Sequence, residues 1–210
     1  VFIVASGLTL VFGLMDVLNF GHGVFLALGA YVAVSSFGAM AGYAASPSLA
    51  MNLVAVFAAI GIAMLAAGAL GLAFERVVVK PVYGHHLKQI LITMGGMIVG
   101  EELIKLVWGP VPIALPLPET LRGSFVIGEA IVEKFRVLAT VIGAVVFVVL
   151  AWVLARTKLG LLIRAGVENR EMVEALGYRI ERLFVGVFVA GSALAGLGGV
   201  LWGLYKETLT

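Results

Sequence analysis

The residues best suited to chemistry lie between Asp16 and Gly23, a polar run that interrupts two apolar stretches. A carboxylate (Asp16), an amide (Asn19) and an imidazole (His22) fall close together there, with Gly21 and Gly23 beside them. The glycines permit a helix to break, and Asn19 and His22 can satisfy the backbone groups that a break frees. Two readings follow. In one, Asn19, Gly21, His22 and Gly23 belong to a discontinuous helix that lines a substrate pathway, where non-helical backbone is tolerated at membrane depth. In the other, the run is an interfacial turn with His22 in water. The pattern alone leaves both open. A metal site at His22 is not expected, because no second ligand stands at a useful spacing.

A second candidate runs from Arg164 to Leu183. Asn169 is a fair helix cap, and Glu171 and Glu174 lie near the positive end of a helix starting there. Met172, Val173 and Leu176 share one face, and Gly177 is placed to stop the helix. This predicts a helix of about two turns within a longer amphipathic stretch, residues 156–182. It could dock on a soluble partner or rest on lipid headgroups. A third set, Glu101 and Glu102, is costly if it lies inside a membrane. Lys105 is one turn away and Trp108-Gly109-Pro110 marks an exit, so an interfacial charge cluster is expected.

The elements that hold these residues are set by composition. Of 210 residues, 62% are hydrophobic and 12% charged, whereas soluble domains carry roughly 25% charge. Too little polar surface remains to coat a water-soluble fold, so lipid is the expected solvent. Runs near the roughly 20 residues that cross a bilayer occur at 24–45, 49–74, 89–107, 137–155 and 184–205, with a shorter one at 1–15. Asn52 is the one strongly polar side chain in 49–74. Trp202 and Tyr205 suit an interfacial anchor. Continuous apolar runs without alternation exclude a β-barrel. An all-α, polytopic transmembrane bundle is therefore expected, as a single domain over 1–210. The chain starts at Val1 and stops at Thr210, which reads as incompleteness at both ends.

The connections set the orientation. Arg76, Lys80, Lys88, Arg156, Lys158, Arg164, Arg170, Arg179 and Arg182 fall on one side, against Arg122, Lys134 and Arg136 on the other. The positive-inside rule puts residues 75–88 and 156–182 in the cytoplasm. Four prolines between Gly109 and Arg136 predict a stiff, extended external segment. Glycine pairs such as Gly96 with Gly100 and Gly199 with Gly203 suggest close helix packing. There are no cysteines, no phosphate-binding GxxxxGK[ST] loop and no hydrolase motif, so neither ATP binding by this chain nor enzymatic chemistry is expected. The net charge of +2 comes without a dense basic run, and nucleic acid is not an expected partner.

Two segments together resemble a known family. Gly7 to Tyr31, with Asn19-Phe20-Gly21-His22-Gly23 at its centre, is similar to the opening of LivH-type permeases of branched-chain amino acid ABC importers. Gly21 replaces a common Ala, Val24 stands where an acid is frequent, and Asp16 takes a place that is usually small or apolar. Arg164 to Gly177, continuing to Arg182, resembles the cytoplasmic coupling segment of the same family. Lys80-Pro81 and Leu106-Val107-Trp108-Gly109 match as well. The resemblance implies a permease half in the cytoplasmic membrane of a bacterium or archaeon. Its partners would be a second permease subunit, two cytoplasmic ATPase subunits that bind the ATP, and an extracytoplasmic binding protein. It implies that Asn19, Gly21, His22 and Gly23 lie at the pathway and that Glu168, Glu171, Ala175 and Gly177 contact the ATPase. The cargo would be leucine, isoleucine and valine. Urea, short amides or another small polar solute on the same architecture is the alternative, and an ATP-independent channel or secondary transporter is a further one.

Overall fold

In lipid, backbone groups must be paired within the chain, and helices do this segment by segment. The computed structural model describes residues 2–15, 17–128 and 130–209, and it is a helical bundle. Its helices are α1 (Phe2–Met15), α2 (His22–Ala39), a single turn α3 (Ala41–Ala44), α4 (Leu49–Phe74), α5 (His86–Trp108), α6 (Lys134–Arg156), α7 (Lys158–Glu168), α8 (Arg170–Ala175) and α9 (Ile180–Lys206). Among the described residues, four helices are long and apolar enough to cross a membrane: α2, α4 with its continuation to Val82, α6 and α9. Helix α1 is apolar but shorter.

Helix α9 is the central post. Two thirds of its apolar window is buried (67%), against 6% for α6 at the periphery. Small residues make this possible, because lipid supplies no hydrophobic drive between helices and close backbone packing must do the work. A Cβ at Gly191 would sit 2.8 Å from the Gly7 carbonyl oxygen of α1. Gly29 of α2 lies directly on the backbone of Gly196, and Gly199 lies on the Leu26 carbonyl. Gly71 of α4 packs on Ser192, and a Cβ at Gly196 would come within 2.7 Å of the Ala67 Cβ. These pairings make α1 and α4 antiparallel to α9, and α2 parallel to it. Gly96 of α5 meets the Phe74 ring and Gly100 meets Val24, so both predicted glycine pairs are contact points. The rings of Phe25, Phe74 and Phe188 close the centre, with Phe25 at 5.6 Å from Phe74 and 6.0 Å from Phe188.

The outer side departs from the simple expectation. Residues 109–136 are not merely an extended strap. They hold β1 (Ile113–Ala114), a 3-10 turn (Glu119–Leu121) and a hairpin of β2 (Ser124–Ile127) and β3 (Ala130–Glu133). Strand β1 pairs with β4 (Thr208–Leu209), which ties the strap to the end of α9. The run expected at 24–45 is also divided, since α2 ends at Ala39 before α3.

The inner side differs in two ways. The segment expected as a loop from Glu75 continues α4 as a π-helical turn (Glu75–Val79) and a 3-10 turn (Lys80–Val82). Glu75 allows this because its carboxylate is buried and accepts a 2.7 Å hydrogen bond from the Tyr83 hydroxyl. The amphipathic stretch 156–182 contains two helices rather than one. Thr157 caps α7 by accepting from the Gly160 N–H at 3.3 Å, and Asn169 caps α8 by accepting from the Met172 N–H at 2.9 Å. Helix α8 has six residues, shorter than expected. Gly177 ends it with φ +87°, a left-handed conformation that suits glycine. The expected common face of Met172, Val173 and Leu176 is not observed. Val173 is buried, while Met172 and Leu176 are exposed. A helix of under two turns, followed at once by a glycine reversal, buries only Val173 among its described side chains.

Candidate functional site

The polar interruption is a true break. Helix α1 ends at Met15, residues 17–19 are non-helical, a turn follows at Phe20–Gly21, and α2 starts at His22. Asp16 lies outside the described residues. The depth of the break follows from contacts. A Cβ at Gly7 would lie 3.0 Å from the His22 ring and also strikes the Gly191 carbonyl. The start of α2 is therefore level with the middle of α1 and of α9. Met15 is about 12 Å further along α1 than Gly7, at 1.5 Å per residue. The chain from Val17 to Gly21 must double back along the bundle to reach that level, which makes it a re-entrant segment.

Helix α5 holds this segment in place. The Phe20 N–H donates to Thr93 Oγ1 at 3.2 Å, and the Thr93 hydroxyl donates to the Gln89 carbonyl at 2.6 Å. Thr93 is fully buried. The Val24 N–H donates to the Gly21 carbonyl at 3.1 Å, which starts α2. Gly21 is required by its neighbours, since a Cβ there would lie 2.8 Å from the Phe74 ring and 3.1 Å from Asn19 Oδ1. Gly23 opens onto free space, and Phe20 is half exposed beside it. The break thus has a packed side and an open side.

Two buried asparagines behave oppositely. Asn52 is completely buried at the outer end of α4, and every polar atom of its amide is used. Its Nδ2 donates to the Tyr43 carbonyl at 2.8 Å and the Ser46 carbonyl at 2.9 Å. Its Oδ1 accepts from the Thr120 N–H and hydroxyl, both at 2.8 Å. Asn52 is a structural staple between the outer loops. Asn19 is 5% exposed, and neither amide atom has a hydrogen-bond partner. His22 is 7% exposed, with both ring nitrogens unpartnered; its ring lies near the Val4 backbone and Gly7 without hydrogen-bond geometry. An unsatisfied buried polar group is costly and calls for a functional reason.

Sequence reasoning missed two neighbours of this region. Glu75 Oε2 and Gln89 Oε1 are buried without a partner, while Glu75 Oε1 accepts from Tyr83 and Gln89 Nε2 donates to the Val82 carbonyl at 3.3 Å. Both clamp the short link between α4 and α5. The signal for Glu75 was a lone acid at the end of a long apolar run, and π-helical turns recur at functional sites. The charges near the end of α5 are at the surface. Lys105 Nζ pairs with Glu102 at 2.7 Å on the exposed face of α5, and Glu101 is exposed. Among the described residues no cluster of His, Cys, Asp or Glu could hold a metal. Glu168, Glu171, Ala175 and Gly177 are all exposed, on α7, on α8 and at the turn after it.

Comparison with known proteins assigns the sequence to a family. The family described as branched-chain amino acid transport system, permease component, matches residues 1–210. The chain belongs to this family. Among curated permeases, it is 28% identical over 96% of its length to the high-affinity branched-chain amino acid transport system permease protein BraD of Pseudomonas aeruginosa. It is 29% identical over 97% of its length to LivH of Salmonella typhimurium, and equally to LivH of Escherichia coli. In each case it spans about two thirds (66%) of the relative's own length. No solved structure matches. These relatives are named as transport system permease proteins.

Proposed function

We propose that this permease is one membrane-spanning half of an ATP-driven importer that carries leucine, isoleucine and valine into the cytoplasm. One observation carries the reading: the re-entrant break leaves Asn19 and His22 buried at mid-bundle with all their polar side-chain atoms unpartnered. An amide offers donors and an acceptor without net charge. That suits passing contact with the ammonium and carboxylate ends of an amino acid, because a conduit must bind weakly enough to release. Gly21 and Gly23 keep the backbone slim at this point, and the Phe20 and Phe74 rings beside them suit a branched apolar side chain.

A second permease subunit completes the pathway, a binding protein delivers cargo at the outer strap, and two ATPase subunits engage the inner end. Glu168, Glu171, Ala175 and Gly177 form the ATPase contact, on the exposed side of α7 and α8 that also carries Met172 and Leu176. Val173 seats α8 on the bundle, so ATPase closure would be transmitted to α9 and tilt the pathway between outward-open and inward-open states. Residues 75–88 and 156–182 face the cytoplasm in this reading.

The test is uptake of labelled leucine into vesicles that hold the complete permease with its ATPases and binding protein. ATP-dependent uptake, competed by isoleucine and valine, is expected. Movement of urea or an amide but not leucine would overturn the cargo, and uptake without ATPases would overturn the importer. Leu176→Glu is expected to abolish ATPase co-purification while leaving the fold intact, since Leu176 is 70% exposed.

A further inference from the structure

Helix α6 stands off the bundle, and two clefts separate it from α1 and α9. The outer one measures about 910 Å³ and runs between Val4, Gly143 and Leu201. Its basic rim is already engaged. Arg136 Nε is paired with Glu133 at 2.8 Å and its guanidinium lies over the Tyr205 ring, while Lys206 lies over the Trp202 ring.

The inner cleft, about 480 Å³, is different. Leu14 of α1, Leu150 and Leu154 of α6, Leu162 of α7 and Leu183 of α9 line it, and Arg179 and Arg182 stand at its inner end. Neither guanidinium has a carboxylate or any other side-chain partner among the described residues; the nearby Glu181 is taken by Lys80 at 3.0 Å. The two arginines also belong to the start of α9, a helix of 27 residues whose N-terminus adds positive potential. An apolar slot between spanning helices, open to lipid and ending in two unpaired cations, has the chemistry of an amphiphile site. Basic pockets between membrane helices on the cytoplasmic side bind anionic headgroups.

We propose that the inner cleft binds an anionic glycerophospholipid, with an acyl chain along Leu14, Leu150 and Leu183 and its phosphate on Arg179 and Arg182. The site stands apart from the Asn19–His22 break and does not depend on the cargo. Because Leu162 and Val173 also line it, the bound lipid would brace α7 and α8 against α9.

The test is native mass spectrometry of the complete permease in detergent with phosphatidylglycerol and phosphatidylcholine offered in competition. Preferential retention of phosphatidylglycerol is expected. Arg179→Gln with Arg182→Gln should weaken that retention roughly 30-fold, the loss expected from two interfacial cations, and weaken phosphatidylcholine far less, because its choline already offsets the phosphate charge. Leu150→Trp, which fills the slot and keeps both arginines, should reduce retention of both lipids. Circular dichroism melting of each variant without added lipid checks that the fold survives. Equal retention of the two lipids, an unchanged preference in the double variant, or a wild-type protein that retains neither lipid would each overturn the proposal.

Discussion

At the scale of single residues, Asn19 and Asn52 contrast in how their buried amides are bonded. Both are asparagines within apolar surroundings, yet one amide is fully bonded and the other is bare. Replacing both partners of a bond, or a group that never had one, removes a desolvation cost; removing one partner of a made bond exposes it. Asn19→Leu should therefore raise stability by about 1–3 kcal/mol while cutting leucine uptake. Asn52→Leu should lower stability by about 1–3 kcal/mol, since it strands the Thr120 N–H and hydroxyl and the carbonyls of Tyr43, Ala44 and Ser46. Thermal unfolding in detergent measures both, and a drop in stability for Asn19→Leu would show that its amide finds a partner. Thr93→Val should also destabilise by about 1–3 kcal/mol, because the Phe20 N–H, in a part-buried bond, loses its only acceptor among the described residues, whereas Thr93→Ser should be tolerated.

At the scale of elements, stability rests on close backbone contact along α9. The two glycines Gly199 and Gly186 sit in the same helix, but a Cβ strikes the Leu26 carbonyl at the first and meets nothing within 4 Å at the second. Gly199→Ala should cost about 1–3 kcal/mol through overpacking. Gly186→Ala should stabilise by roughly 1 kcal/mol, the ordinary gain in helix propensity. Equal effects at the two positions, read from melting temperatures, would argue against the α2–α9 contact. The break between α1 and α2 is an element-scale feature too. It exists because α5 supplies a hydroxyl acceptor at depth, where an unpaired N–H could not remain.

For the whole molecule, the charge distribution and the packing directions agree on sidedness. The links after α4 and α6 fall at one end with α7 and α8, and the strap with both small sheets falls at the other. The absence of cysteine makes the arrangement directly testable. Single cysteines at Lys158 and Ser124 should be labelled by a membrane-impermeant maleimide from opposite faces, Lys158 only in inside-out vesicles. Labelling of both from one face would overturn the orientation.

Much of this protein was legible in its sequence, and the limits have a physical cause. Solvent, helix spans, the break near Asn19, the Asn169 cap, the Gly177 stop and the glycine contacts depend on composition, on local periodicity, or on conformations that few residues adopt. Those properties belong to neighbours along the chain. The bonding state of a buried amide does not: Phe20 meets Thr93 across 73 positions, and Asn52 meets Thr120 across 68. The second inner helix, the continuation of α4 past Glu75, the burial of Val173 on α8 and the bare amide of Asn19 were decided by such long-range partners. Sequence by itself determined that lipid is the solvent and where the chain can bend, although α5, over the expected run at 89–107, is not among the four helices apolar enough to cross a membrane. Tertiary structure alone decided which polar groups inside are satisfied, because a hydrogen bond needs two partners and only folding brings the second one near.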